Sequence, residues 1–147
     1  MKYLLDSAPL AAYTRGRQGA VARLDDLIRS QNVTTSILNY GEVIEGLQSF
    51  PAVYTQYQHV LRGLLHTQIT VLVPNYRVME RYADIRRTMR TLRTSDGQLT
   101  GLIGDIDTLI AALSLEYGLT VITTDKDFTR VPGLSVQLLT VAQLREP

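Results

Sequence analysis

The chain has 147 residues and a formal net charge of +1, with 45% hydrophobic and 20% charged residues. This length predicts a single domain over residues 1–147 that buries its own core, and the absence of cysteine excludes disulfides, thiolate metal sites and a cysteine nucleophile. The nearly balanced charge excludes a uniformly basic nucleic-acid-binding protein, so any such binding must use local patches.

The first half of the chain alternates strand-like and helical segments. We predict, in order, a strand at Lys2–Asp6, a helical turn at Ala8–Tyr13, a helix at Gly19–Ser30, a strand at Asn32–Thr35 and helices at Ile37–Gln48 and Pro51–Thr67. Ser36 is the predicted N-cap of the helix that follows it, because its hydroxyl can accept a hydrogen bond from a free backbone N–H. Pro51 suits the first turn of the last helix, where no N–H is needed.

The second half continues the alternation. We predict a strand at Ile69–Val73, a helix capped near Asn75 and running through Leu92, a loop at Ser95–Gly104, a helix at Ile106–Tyr117 ended by Gly118, and strands at Thr120–Thr123 and Ser135–Leu139. The strands are continuous apolar runs rather than alternating ones, which indicates burial on both faces. The predicted fold class is therefore α/β, a three-layer α/β/α sandwich with a central five-stranded, mainly parallel sheet.

The N-terminal segment does not resemble a targeting sequence. Asp6 interrupts its apolar run, so no signal peptide is predicted. No window approaches about 18 uncharged apolar residues, so we expect no transmembrane helix and no membrane partner. The cysteine-free composition is compatible with a reducing cytoplasm, which is the location we expect.

Four carboxylates occupy positions where parallel sheets bind ligands, outside the carboxyl ends of the strands. Asp6 ends the first predicted strand, and Asp125 follows the fourth strand by two residues. Glu42 lies just over one turn into the helix after the second strand. Asp107 opens the helix before the fourth strand, so it can reach the same edge.

Carboxylates brought together repel one another, and burial raises their pKa values further. A divalent cation removes that conflict. Oxygen ligands without cysteine or a suitable histidine favour Mg²⁺ or Mn²⁺ over zinc. Such a site can lower the pKa of a bound water and position a phosphodiester for in-line attack.

Each acid also fits an ordinary structural role. A strand-end aspartate such as Asp6 is commonly a turn former, and Glu42 fits a solvated helix face. Asp105 fits the N-cap of the helix at residues 106–117, which is the role we favour for it, and Asp127 fits an exposed position. The joint placement of the four acids at one sheet edge favours the functional interpretation.

The helix before the Ser95–Gly104 loop is rich in arginine. Arg86, Arg90 and Arg93 are spaced i, i+4 and i+7, so we expect them on one face, where they would contact RNA phosphates. A solvated face with Glu80 and Asp84 as partners is an equally good interpretation.

Several stretches together resemble a known family. They are YLLD at residues 3–6, GEVIEGL at 41–47, IGDIDTLIAALSLEYGLTVITTDKDF at 103–128 and RVPGL at 130–134. In this order they resemble a PIN-domain ribonuclease, a toxin of the VapC type from a VapBC toxin–antitoxin pair. The resemblance implies a five-stranded parallel sheet with strand one central, endoribonuclease activity on structured RNA such as tRNA or rRNA, a Mg²⁺ or Mn²⁺ cofactor, a homodimer and a small cognate antitoxin.

The resemblance also implies which residues act. The catalytic and metal-binding acids of the family correspond to Asp6, Glu42, Asp107 and Asp125 of this chain. Accessory metal-site candidates are Asp105, Asp127 and Ser7. The chain departs from the family pattern at Ala8, where an asparagine amide usually stands. We expect this loss of support to lower catalytic strength more than metal binding, because the four carboxylates remain.

Two other functions compete with this interpretation. One is a catalytically weak PIN-like module that binds RNA or protein, its site impaired at Ala8. The other is a phospho-acceptor receiver domain, which needs a pair of acids at strand one and a lysine after the last strand. Strand one carries the single acid Asp6, and the segment Thr140–Ala142 has no lysine, so we rank the receiver domain last.

Overall fold

The computed structural model describes residues 2–147. Within that range the strands are β1 (Tyr3–Leu5), β2 (Val33–Ser36), β3 (Thr70–Leu72), β4 (Thr120–Thr123) and β5 (Ser135–Leu138). The helices are α1 (Ser7–Thr14), α2 (Gln18–Arg29), α3 (Ile37–Leu47), α4 (Tyr54–Thr67), α5 (Tyr76–Thr91), α6 (Asp105–Tyr117) and α7 (Val141–Arg145), and a 3₁₀ turn covers Lys126–Arg130. None of these helices is long and apolar enough to cross a membrane.

The five strands form one sheet in the order β3-β2-β1-β4-β5, and every pair is parallel. The central β1 pairs with β2 on one side and with β4 on the other, with Leu4 opposite Thr34 and Val121. This topology confirms the predicted sheet and the central position of strand one. The carboxyl ends of all five strands therefore lie at one edge.

Helices cover both faces of the sheet, because consecutive strand residues point to opposite sides. Leu4 and Val121 pack with Ile110 of α6 and the apolar side of α5 in one core. Leu5 and Ile122 pack with α1 to α4 and α7 in the other core. The three central strands β2, β1 and β4 are thus buried on both faces as predicted, whereas the edge strand β5 is mostly exposed and β3 is only partly buried, so the prediction was wrong for these two.

Local signals at helix ends act as expected in three places. The Ser36 hydroxyl accepts a hydrogen bond from the backbone N–H of Asn39, and Asn75 caps α5 through the N–H of Val78. Gly118 ends α6 in the left-handed conformation, with φ of +64°, which favours glycine.

Three boundary predictions were wrong. Pro51 is not in the first turn of α4, since the Val53 N–H bonds to the carbonyl of Phe50 and a separate turn precedes the helix. Asp105 is not the N-cap of α6. Gly104 takes that position, and Asp105 is the first helical residue. The turn predicted at Ala8–Tyr13 is longer, since α1 begins at Ser7.

Candidate metal centre

Carboxylates from four elements of the chain meet at the carboxyl edge of the sheet. Asp6 follows β1, Glu42 lies on α3 after β2, Asp107 lies in the first turn of α6, and Asp125 follows β4. Burial has the largest effect on the pKa of the Asp107 carboxyl, followed by the negative charges of Asp6, Asp125, Glu42 and Asp127, and together they raise it to about 7. The other three predicted acids are therefore within electrostatic reach of Asp107, and so is Asp127.

Asp6 is the buried member of this group. Its side chain is 7% exposed, and burial raises the pKa of its carboxyl. Hydrogen bonds act in the opposite direction: the Thr123 hydroxyl donates to Oδ2 at 2.6 Å and the Asn39 amide donates to Oδ1 at 3.0 Å. Both carboxylate oxygens of Asp6 are thus held in defined positions.

The amide of Asn39 connects Asp6 to the carboxylate on α3. It donates to Ser7 Oγ at 3.0 Å, and the Ser7 hydroxyl in turn donates to Glu42 Oε1 at 2.7 Å. The Ser36 hydroxyl donates to Asn39 Oδ1 at 2.5 Å, which fixes the orientation of the amide. The accessory candidate Ser7 therefore orients Glu42 and is itself held by Asn39.

A second chain of hydrogen bonds runs from Asp6 to the 3₁₀ turn. Thr123 Oγ1, which donates to Asp6, accepts the backbone N–H of Asp125 at 3.0 Å. Asp125 Oδ1 accepts the backbone N–H of Asp127 at 2.9 Å. The carboxylate of Asp127 pairs with Arg130 at 3.2 Å. The end of β4 is thereby tied to the central strand.

The accessory candidate Asp105 is engaged elsewhere. Its carboxylate is 72% exposed and forms an ion pair with Arg86 of α5 at 2.5 Å. The guanidinium of Arg86 also lies 5.6 Å from the centre of the Tyr82 ring. The negative charge of Asp105 is thus paired with Arg86 of α5, whereas Asp107, two residues later, lies near the other acids.

The predicted arginine face is only partly formed. The helix α5 ends at Thr91, so Arg93 lies beyond it and donates to the carbonyl of Gly97 at 2.7 Å. Arg86 is paired with Asp105, and Arg90 is exposed on the helix. Arg86 and Arg90 keep their i, i+4 spacing within α5, but the placement of Arg93 on the same helix face was wrong, because the helix ends two residues before it. Contact of these arginines with RNA stays a prediction.

The donor set fits a hard divalent cation in its chemistry, since it offers carboxylate oxygens and the sequence has no cysteine. The mutual repulsion at Asp107 is the charge pattern that a cation relieves. Across residues 2–147, however, no three His, Cys, Asp or Glu side chains already stand close enough to hold an ion. The acids thus act on the charge of Asp107 without forming a preassembled set of metal ligands.

The sequence interpretation missed two buried polar residues of this site. Asn39 and Thr123 are both 0% exposed and both bind Asp6. A signal for Asn39 was available, because it stands three residues after a helix-capping serine and three before Glu42, on one helix face. Thr123 is the last residue of a strand that precedes a candidate ligand by two positions.

A comparison with protein-family profiles matches residues 3–134 to the family described as PIN domain. A comparison with curated proteins finds no match.

Solved structures share the fold over nearly their whole length. VapBC-1 from nontypeable Haemophilus influenzae has a TM-score of 0.70 and 26% identity, covering 94% of this chain and 98% of the other. DNA-bound VapBC from Salmonella typhimurium has a TM-score of 0.75 and 20% identity, covering 93% and 97%. A toxin–antitoxin complex from Klebsiella pneumoniae has a TM-score of 0.69 and 20% identity, covering 95% and 100%.

Proposed function

The chain belongs to the PIN-domain family, and we propose that it is a metal-dependent endoribonuclease of the VapC type, the toxin of a type II toxin–antitoxin pair. The proposed reaction is hydrolysis of RNA phosphodiester bonds with Mg²⁺ or Mn²⁺ as cofactor. Asp6, Glu42, Asp107 and Asp125 are the proposed metal-binding and catalytic residues.

One observation carries the proposal: the pKa of the half-buried Asp107 carboxyl is raised to about 7 by burial and by the surrounding acids. Like charges around a desolvated carboxyl destabilise the folded protein. Such an arrangement is typical of functional sites rather than of structural ones. Perturbed carboxyls in structural ion-pair networks have cationic partners, whereas the charges acting on Asp107 are all negative.

A bound Mg²⁺ or Mn²⁺ would activate a water molecule and neutralise charge on the phosphodiester. The chain's own residues hold two of the proposed metal-binding carboxylates in position. Thr123 and Asn39 hold the two oxygens of Asp6, and Ser7 orients Glu42. Near neutral pH Asp107 carries a proton part of the time, and cation binding would release it.

The proposed partners follow from the family and from the relatives. The Klebsiella pneumoniae structure is a toxin–antitoxin complex. By analogy, we propose that this chain binds a small cognate antitoxin. The RNA substrate proposed is of the tRNA or rRNA class, and the proposed assembly is a cytoplasmic homodimer.

A catalytically weak PIN-like module remains the second candidate, because the acids do not yet stand at coordinating distance and Ala8 replaces the usual amide. The amide of Asn39 argues against it. It reaches both Asp6 and Ser7 from α3 and so provides support that residue 8 lacks.

The test compares two aspartates that differ in their surroundings. Purified protein is incubated with total cellular RNA in Mg²⁺, in Mn²⁺ and in chelator, and cleaved ends are sequenced. We expect cleavage with either ion and none in chelator. Asp107→Asn should abolish cleavage, whereas Asp105→Asn, two residues away and paired with Arg86, should retain it.

Cleavage that persists in Asp107→Asn or in chelator would contradict the proposed centre. RNA binding without cleavage under every metal condition, and without growth arrest on expression, would favour the binding module. A mock purification from cells that do not express the protein controls for contaminating ribonuclease.

A further inference from the structure

A cavity of about 250 Å³ opens between α1 and α3, directly beside the carboxylates. Ser7 and Glu42 are part of its lining, so the cavity is continuous with the proposed centre. Val43 and Leu47 contribute apolar surface. Its volume is below the range of about 300–1,000 Å³ typical of drug-sized ligands, which favours an occupant of about one ring system.

Two further lining residues, Arg15 and Phe50, form a pair. The guanidinium of Arg15 lies 5.3 Å from the centre of the Phe50 ring, in a cation–π arrangement. Phe50 follows α3 and is 50% exposed, although a phenylalanine ring is strongly apolar. The ring is thus held in place by Arg15 while part of its surface stays open to solvent.

Three arginines of α5 differ from Arg15 in their partners. Arg81 and Arg77 are paired with Glu116, and Arg86 with Asp105. Arg15 is held by an aromatic ring, so its positive charge is not cancelled by that contact. It is also the cation that shares a cavity with Glu42, where an anionic ligand approaching the acids needs a positive charge.

We propose that this cavity binds one nucleobase of the RNA next to the bond that is cut, with the base stacked on Phe50 and the adjoining phosphate facing Arg15. The inference rests on the proposed function. Proteins that bind single-stranded RNA combine aromatic or guanidinium stacking surfaces with cationic contacts to the backbone. A nucleotide matches the lining, since it joins an apolar flat ring to an anionic group.

The test measures RNA binding without cleavage, in an Asp107→Asn background. The probes are a fluorescent oligo-adenylate and an abasic ribose-phosphate oligomer of equal length, followed by fluorescence anisotropy. Phe50→Ala should weaken binding of oligo-adenylate by about 5- to 150-fold and leave the abasic oligomer unchanged, because only the former can stack. Arg15→Gln should weaken both.

Two variants guard this test. Phe50→Leu keeps an apolar side chain but removes the aromatic face, so it should show the same base-dependent loss while melting like the parent. Tyr117→Ala is the matched control: Tyr117 is 42% exposed at the end of α6, at the opposite edge of the sheet from the acids. It should change binding of neither oligomer.

The inference is overturned if the Phe50 variants bind both oligomers like the parent or lose both equally. In that case the cavity serves another occupant, such as a segment of a protein partner. Failure here is distinct from failure of the proposed function. If the wild type cleaves RNA and the Phe50 variants bind normally, only the proposal that the cavity binds a nucleobase is rejected. If binding depends on the base but no RNA is cleaved, only the proposed nuclease function is rejected.

Discussion

The side-chain amide of Asn39 donates a hydrogen bond to Asp6 Oδ1 at 3.0 Å, joining α3 to the end of the central strand. The same amide donates to Ser7. Residue 8, where the family usually has an asparagine, is an exposed alanine on α1. An amide from a different element therefore holds the first carboxylate of the site.

Replacing Asn39 by alanine should destabilise the protein and weaken metal binding. The change leaves Asp6 Oδ1 buried without its donor, at a cost of about 1–3 kcal/mol in the free energy of unfolding. Loss of a residue that orients a ligand typically lowers metal affinity or activity by about 10- to 100-fold. Urea denaturation and calorimetric Mn²⁺ titration measure the two effects.

The control for that change is Asn32→Ala. The Asn32 amide donates to Ser30 Oγ in an exposed hydrogen bond, so its loss should change stability by less than about 0.5 kcal/mol. Equal Mn²⁺ affinity in wild type and Asn39→Ala would refute the orienting role, whatever the change in stability.

Asp107→Asn should make the metal-free protein more stable at neutral pH. The pKa of this carboxyl is about 7 in the folded protein against an ordinary value of 3.8, so the folded state binds more protons between these values. The protonated Asp107 carboxyl contributes its full stabilisation below about pH 4, and this contribution is lost as pH rises through 7. Because the side chain is half-exposed, solvent screening limits the gain at pH 7.5 to about 1–2 kcal/mol.

Thermal and urea denaturation in chelator at pH 4 and pH 7.5 measure this effect. Wild type and variant should differ at the higher pH and converge at the lower one, and added Mn²⁺ should stabilise the wild type more. Asp105→Asn, whose carboxylate has Arg86 as a partner, should show no such gain. A large loss of stability in metal-free Asp107→Asn would instead identify a structural role.

Arg130→Met should loosen the segment before α6. The half-buried guanidinium donates to the carbonyls of Thr100 and Gly101 and pairs with Asp127, so it links that segment to the 3₁₀ turn after β4. Methionine keeps much of the aliphatic volume but none of the donors. Hydrogen exchange of residues 95–104 should accelerate, and RNA cleavage should fall about 10-fold or more because ligand positions shift.

The matched change is Arg87→Met, since Arg87 makes an exposed ion pair with Asp84 at 3.4 Å, which contributes about 0–1 kcal/mol. It should leave exchange in residues 95–104 as in the wild type. Unaltered exchange in Arg130→Met would show that backbone contacts alone hold the segment.

Alanine substitution at two helical glycines should change the free energy of unfolding in opposite directions. A Cβ at Gly19 of α2 would lie 2.0 Å from the carbonyl oxygen of Gln143, so Gly19→Ala must displace α7 and should cost about 1–3 kcal/mol. A Cβ at Gly63 of α4 meets nothing within 4 Å, so Gly63→Ala should stabilise by about 0.4–1 kcal/mol. Urea denaturation measures both, and a stabilised Gly19→Ala would contradict the close packing.

Much of the fold could be predicted from local sequence. The strand at Thr120–Thr123 and the caps at Ser36, Asn75 and Gly118 agree with the structure, because caps and apolar runs act within a few residues. Pro51 was misplaced because proline suits both a tight turn and a first helical turn, and the turn at Phe50–Val53 is closed by backbone contacts that the sequence does not reveal.

The candidate site divides in the same way. The positions of Asp6, Glu42 and Asp125 beside predicted strands placed them at one edge, since parallel strands share the direction of their carboxyl ends. The different surroundings of Asp105 and Asp107 could not be predicted. They depend on α5 packing against α6, which brings Arg86 to one aspartate and not to the other.

The sequence by itself determined the alternation of strands and helices, the oxygen-only donor set and the chain order of the acids. Only the tertiary structure decided which polar side chains support them. Asn39 and Asp6 are 33 residues apart in sequence, and Thr123 and Asp6 are 117 apart. Such contacts form because strands distant in sequence pair side by side, and hydrogen bonds of about 3 Å require positions that only the packed sheet and helices define.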